Sequence, residues 1–178
     1  MQSHRLIGSG FFVLLIVAGF ATFIAHEAAH WLAGVALGHD MVMTLNGTGP
    51  RDGTMSAVDH LWVSAAGPAF TILQALVALA LVRARDSFAA YAFLYFAAFM
   101  RFMATVISLL HPNDEARISS ALGLGPWTLP ILVTVALAGL AWLGSRHLRL
   151  SWKTNLLAYL VCTVTVSAII GLDLLMKG

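Results

Sequence analysis

Glutamate occurs only twice in this chain and cysteine once, and charged residues of either sign fill just 10% of its 178 positions. A single cysteine, Cys162, excludes an internal disulfide, and its apolar surroundings predict a packed, inert thiol. Cysteine usage therefore says nothing about redox compartment. With ten Lys and Arg against eight Asp and Glu, the net charge of +2 and the lack of a dense basic run exclude a nucleic-acid partner. Apolar surface takes the place of charge: 60% of residues are hydrophobic, and mean hydropathy is +0.86. That share is far above the usual one for soluble domains, and the class it predicts is an all-α polytopic membrane protein.

A hydrocarbon core of about 30 Å needs about 20 apolar residues as helix. Five segments meet that length, at about 6–37, 58–82, 87–110, 127–144 and 154–176. His4 and Arg5 followed by Phe11 to Val17 imitate a signal peptide, but the apolar run continues to Leu37, so a retained first span is expected. Between the first two spans, Met41 to Leu45 alternates weakly before the turn dipeptide Asn46-Gly47. A short β-hairpin at the membrane surface fits residues 41–57, although Gly49, Pro50 and Gly53 suit an irregular loop equally. No repeat, low-complexity tract or second soluble domain is legible, so residues 1–178 read as a single membrane domain. Small residues Ala18, Ala21, Thr22, Ala25, Ala29 and Ala33 line one side of the first span and let neighbouring backbones approach closely.

One of the two glutamates lies within the first span, in His26-Glu27-Ala28-Ala29-His30. Ionisable groups at such depth are costly and mark functional sites by default. Positions i and i+4 share a helix face, so both imidazoles can reach one metal ion, with Glu27 placed to take a proton from water at that ion. A catalytic zinc takes three protein ligands and keeps an open position, so a third must come from elsewhere. Counting crossings, the second half of span one and the end of span three lie on the same membrane side. Asp114 is the leading third ligand; Glu115 and His111 are alternatives, and a helix-capping role for Asp114 stays open. Arg101 interrupts the third span, and a regular helix would place it about 20 Å from Asp114 along the axis, too far for direct pairing. His39, His60 and His147 fall at helix ends and read as interfacial, and Asp173 is expected to reach the interface.

In order, the chain carries His26-Glu27-Ala28-Ala29-His30, Ala65-Ala66-Gly67-Pro68, and Leu109-Leu110-His111-Pro112-Asn113-Asp114 on its first three apolar segments. This set resembles the site-2 protease family of intramembrane zinc metalloproteases, over roughly residues 10–120. The resemblance implies a three-helix metalloprotease core at about 6–120 with additional helices at about 127–144 and 154–176. It implies Zn2+ on His26, His30 and Asp114, Glu27 as the base in peptide-bond hydrolysis, and Gly67, Pro68 and Thr71 beside a substrate strand. That substrate would be a membrane protein or peptide whose helix unwinds locally. The family's third motif typically reads Leu-Asp-Gly, where this chain has Asn113-Asp114-Glu115, and Thr71 stands where the family often has asparagine.

These departures leave a second reading, a catalytically degenerate member serving as a structural or assembly subunit of a membrane complex. A haem protein fits poorly, because i,i+4 histidines on one helix cannot supply opposite axial ligands. Localisation is expected to be an integral multi-pass protein of a bacterial-type inner or plasma membrane. Arg5, Arg83, Arg85, Arg146, Arg149 and Lys153 on one side outnumber Arg51, Arg117 and Lys177 on the other, which puts the N-terminus in the cytoplasm. The resemblance implies a site nearer the cytoplasmic face, the opposite orientation.

Overall fold

Apolar runs and capping residues cut the chain into six helices and one hairpin in a computed structural model that describes residues 8–177. The expected start of the first span at Leu6, and with it Arg5, lie outside the described residues. α1 spans Ser9–Ala36, α2 Ala57–Arg85, α3 Phe88–Ile107, α4 Asp114–Ala121, α5 Thr128–His147 and α6 Trp152–Lys177, with β1 at Met41–Thr44 and β2 at Gly47–Pro50. All but α4 are long and apolar enough to cross a membrane, in keeping with an integral multi-pass protein. The starts of four helices are set by side chains that accept an otherwise orphaned backbone N–H: Ser56 from Asp59, Ser87 from Ala90, Asn113 from Ala116, and Ser151 from Thr154.

α3 is the central helix. It packs against α1, α2, α5 and α6, and 56% of its most apolar stretch is buried against 28% for α5 and α6. Tyr91, Leu94 and Phe96 are fully enclosed there. At its start, Tyr91 donates to Asn155 Oδ1 (2.7 Å) and Tyr95 to the Asn155 carbonyl (2.7 Å), while Asn155 donates to Ser145. These bonds gather the start of α3, the end of α5 and the start of α6 at one end of the bundle. The hairpin and α4 occupy the other.

β1 and β2 pair antiparallel from Met41↔Pro50 to Thr44↔Gly47. The tip is Leu45-Asn46, one residue earlier than the Asn46-Gly47 signal, and the paired strands stop at Pro50 rather than 57. Asp173 explains the shifted tip: its Oδ1 accepts from the Asn46 amide at 3.1 Å, fixing the tip against α6. Asp173 is correspondingly buried and paired with Lys177 at 2.5 Å, in place of the interfacial position expected for it. At the other end of β1, Met41 packs on Gly34, where any Cβ would overlap the methionine side chain.

Candidate metal centre

His26 and His30 lie one turn apart on the α1 face that meets α2, and both are buried. Their Nε2 atoms approach to 3.1 Å, and Asp114 Oδ2 lies 3.4 Å from the first and 3.3 Å from the second. Among the described residues, this is the one group of three such side chains converging at metal-binding range. A tetrahedral ion with bonds of about 2.0–2.1 Å keeps its ligand atoms about 3.3–3.4 Å apart, so the triangle has the size zinc needs.

The atoms behind the rings fix which nitrogen faces the centre. His30 Nδ1 lies 2.6 Å from the Val63 carbonyl, which can only accept, so Nδ1 carries a proton and in the neutral ring Nε2 is left with a lone pair. His26 Nδ1 lies 3.0 Å from Thr71 Oγ1. The Thr71 hydroxyl gives its own hydrogen to the Gly67 carbonyl (3.0 Å), leaving its oxygen to accept from His26. Both imidazoles therefore point bare nitrogens at a carboxylate oxygen. Three converging acceptors repel one another unless a cation lies between them, and outer partners of this kind orient ligating histidines.

Glycine at position 67 is what lets α2 come this close. A Cβ there would lie 2.7 Å from His26 Nε2 and overlap His30 as well. Pro68 follows inside the helix, where it has no N–H to give to the preceding turn. The carbonyl that holds His30 is at Val63, one turn before this pair.

Asp114 arrives from the far side of the site on α4. The capping role is filled by Asn113, whose Oδ1 accepts from the Ala116 amide at 2.8 Å, so the Asp114 carboxylate is free to turn inward. Its Oδ1 is held by Arg117, which also donates to Ser64 Oγ (3.2 Å) and the Pro112 carbonyl (3.0 Å). That contact leaves Oδ2 for the histidines. The Arg117 guanidinium against Oδ1, with Arg101 Nη1 3.9 Å from Oδ2, favours the carboxylate anion over the acid.

Arg101 corrects the expectation of a charge too far from Asp114 to approach it. It is buried, with Nη1 3.1 Å from Glu115 Oε1 and 3.9 Å from Asp114 Oδ2, and Nη2 3.5 Å from His26 Nε2. The straight-helix extrapolation fails because α3 stops at Ile107. A turn in which Ser108 Oγ accepts from the Asn113 amide then reverses the chain and lays α4 against α2 and α5, where Glu115 reaches back to Arg101. Glu115, an alternative third ligand, is committed to this ion pair, and His111 is exposed.

Glu27 is buried beside the ligands, and Thr48 of β2 donates to its Oε2 (2.9 Å) and to its backbone carbonyl (3.1 Å). Two cavities meet at this carboxylate. One of about 190 Å³ lies under the hairpin against His30, Ser64 and Arg117. The other, of about 310 Å³, lies between α1, α3 and α6 against His26, Arg101, Met103 and Ile170. Glu27, Asp114 and Arg117 line both. The structure thus brings together His26, Glu27, His30 and Asp114 as the sequence predicts. Gly67, Pro68 and Thr71 stand behind the imidazoles and line neither cavity. Thr48, Arg101 and Arg117 are the additions. An arginine within an apolar span was a visible signal, and Arg117 lies one turn from Asp114, but nothing in the sequence places Thr48 on Glu27. Compared with protein-family models, curated proteins and solved structures, the chain finds no match.

Proposed function

We propose that the chain is an intramembrane zinc metalloprotease that hydrolyses peptide bonds of membrane-embedded substrates. The observation that carries this reading is the convergence of two bare imidazole nitrogens and one carboxylate oxygen beside a second, separately held carboxylate. His26, His30 and Asp114 would hold the ion. A zinc ion so held supplies Lewis acidity, polarising a carbonyl and making water acidic near neutral pH.

The remaining chemistry belongs to side chains already in place. Glu27 accepts the proton of the attacking water and returns it to the leaving amine, and Thr48 keeps one of its oxygens occupied so that the other faces the reaction. Thr71 and the Val63 carbonyl keep both imidazoles in the ligating tautomer. The cavity between α1, α3 and α6, polar at Glu27, Arg101 and Asp114 and apolar at Phe23, Val166 and Ile170, suits an unwound stretch of a membrane segment, whose backbone is tolerated at that depth only where it lines protein. The ordered motifs on α1, α2 and the start of α4, with their resemblance to site-2 proteases, support the same reading. We place the protein in a bacterial-type inner or plasma membrane. The basic residues at the α2–α3 and α5–α6 junctions favour a cytoplasmic N-terminus, with the site towards the outer half.

The test is the Glu27→Gln variant with a membrane-inserted model peptide in proteoliposomes. Metal content is expected to match the wild type while cleavage falls by at least about 10²-fold, as expected for loss of a general base. Undiminished cleavage by Glu27→Gln would remove the proposed mechanism.

A further inference from the structure

We propose that Arg101 is a catalytic residue, its free guanidinium edge binding the carbonyl oxygen of the peptide bond under attack. The inference rests on the hydrolytic reading above and assigns a charged group at the site that the reading leaves without a task.

Three observations point to it. The Arg101–Glu115 contact uses a single bond, Nη1 to Oε1 at 3.1 Å. A structural arginine–carboxylate pair is commonly bidentate, yet here both Glu115 Oε2 and Arg101 Nε are buried without a partner. Second, Nη2, which shares a guanidinium edge with Nε, has only the His26 Nε2 lone pair for company, at 3.5 Å. That lone pair is the one a metal would take. With the centre loaded, Nε–H and Nη2–H are two parallel donors with no acceptor. Third, Arg101 lines the same 310 Å³ cavity as Glu27, His26 and Asp114, so its guanidinium stands beside the space a substrate would enter. Buried donors held ready for a charge that forms only during reaction are the usual way a protein stabilises an oxyanion.

The step balances without any further reactant. Water oxygen adds to the carbonyl carbon, and the carbonyl π electrons move onto oxygen, where Nε–H and Nη2–H receive the developing negative charge. Glu27 takes the water proton. When the C–N bond breaks, the electron pair returns to re-form the C=O bond, and Glu27 delivers the proton to the departing amine. Glu115 is a positioning residue in this scheme, holding Nη1 so that the opposite edge stays turned to the site.

A phosphinic pseudopeptide with leucine flanks, tetrahedral and anionic where the reacting carbonyl would be, tests this beside its parent amide peptide. Binding of both is measured for detergent-purified protein in the Glu27→Gln background, with Arg101 intact, Arg101→Met or Arg101→Lys, together with zinc per chain. The lysine variant keeps a cation for Glu115 and guards against a folding defect in the methionine variant. With zinc content unchanged, the phosphinate-to-amide affinity ratio should fall about 10²–10³-fold in Arg101→Met, the loss expected for oxyanion donors, and at least tenfold in Arg101→Lys. An unchanged ratio in a zinc-loaded Arg101→Lys protein overturns the role of Arg101 and leaves the metalloprotease reading standing. Protein with Arg101 intact that holds no zinc and does not bind the phosphinate overturns both.

Discussion

Thr71 shows how much one hydroxyl can settle. It is fully enclosed, donates to the Gly67 carbonyl and accepts from His26 Nδ1, so the side chain fixes both the imidazole's tautomer and its direction. Valine at this position preserves the shape and removes both bonds. Thr71→Val is expected to keep the fold and weaken zinc affinity by about 10–100-fold, the range found when an outer partner of a ligand is lost; competition with a chromophoric chelator measures it. Affinity equal to the wild type would mean that Thr71 is packing and nothing more. The sequence made this residue visible through its spacing from Gly67-Pro68, but which partner its hydroxyl takes depends on how α1 and α2 lie together. The same limit hid Thr48, whose bond to Glu27 requires a strand to cross the site.

At the scale of elements, legibility follows the strength of the physical constraint. A helix crossing lipid must be apolar for about 20 residues, and the five expected spans stand close to their predicted bounds. The i,i+4 histidines needed only helix geometry to share a face, and Ser56, Ser87 and Asn113 are caps of the ordinary kind. The turn after Ile107 carries no such rule: Leu109-Leu110-His111-Pro112 marks a break without saying where the chain goes next. Its reversal brings Asp114 to the histidines and Arg101 to Glu115. The approach of α2 to α1 is similarly a matter of one position. Gly67→Ala inserts a methyl between the helices where the imidazoles already stand. Overpacking of this kind costs about 1–3 kcal/mol, and here the displaced groups are the ligands. The variant should unfold at a lower temperature and bind less than a tenth of the wild-type zinc. Normal zinc content in Gly67→Ala would show that α2 stands further from the site than described.

Taken whole, the molecule is an apolar helix bundle with a polar centre whose donor set could hold a cation. His26, Glu27, His30, Arg101, Asp114 and Glu115 lie together among apolar helices. In the neutral rings the two Nε2 lone pairs and Asp114 Oδ2 face one another. An ion that binds this arrangement and not the unfolded chain stabilises the fold by mass action, about 2.7 kcal/mol at one hundred times the dissociation constant. Zinc should therefore raise the melting temperature of the wild type in detergent and leave that of His26→Ala unchanged. Chelation should reverse the gain, and an equal shift in both proteins would place the effect elsewhere on the chain. The hairpin belongs to the same account, because Asp173 holds its tip while Thr48 reaches Glu27, so α6 and the site are joined through β2.

The central claim is that His26, His30 and Asp114 together hold one metal ion, and elemental analysis of detergent-purified protein tests it most directly. Wild type, His26→Ala and Asp114→Ala are compared for zinc per chain. The geometry predicts about one zinc per wild-type chain and almost none in either variant. Well-folded wild type without zinc would contradict the account and favour a structural subunit of a membrane complex. Zinc retained in Asp114→Ala would contradict the three-residue centre itself.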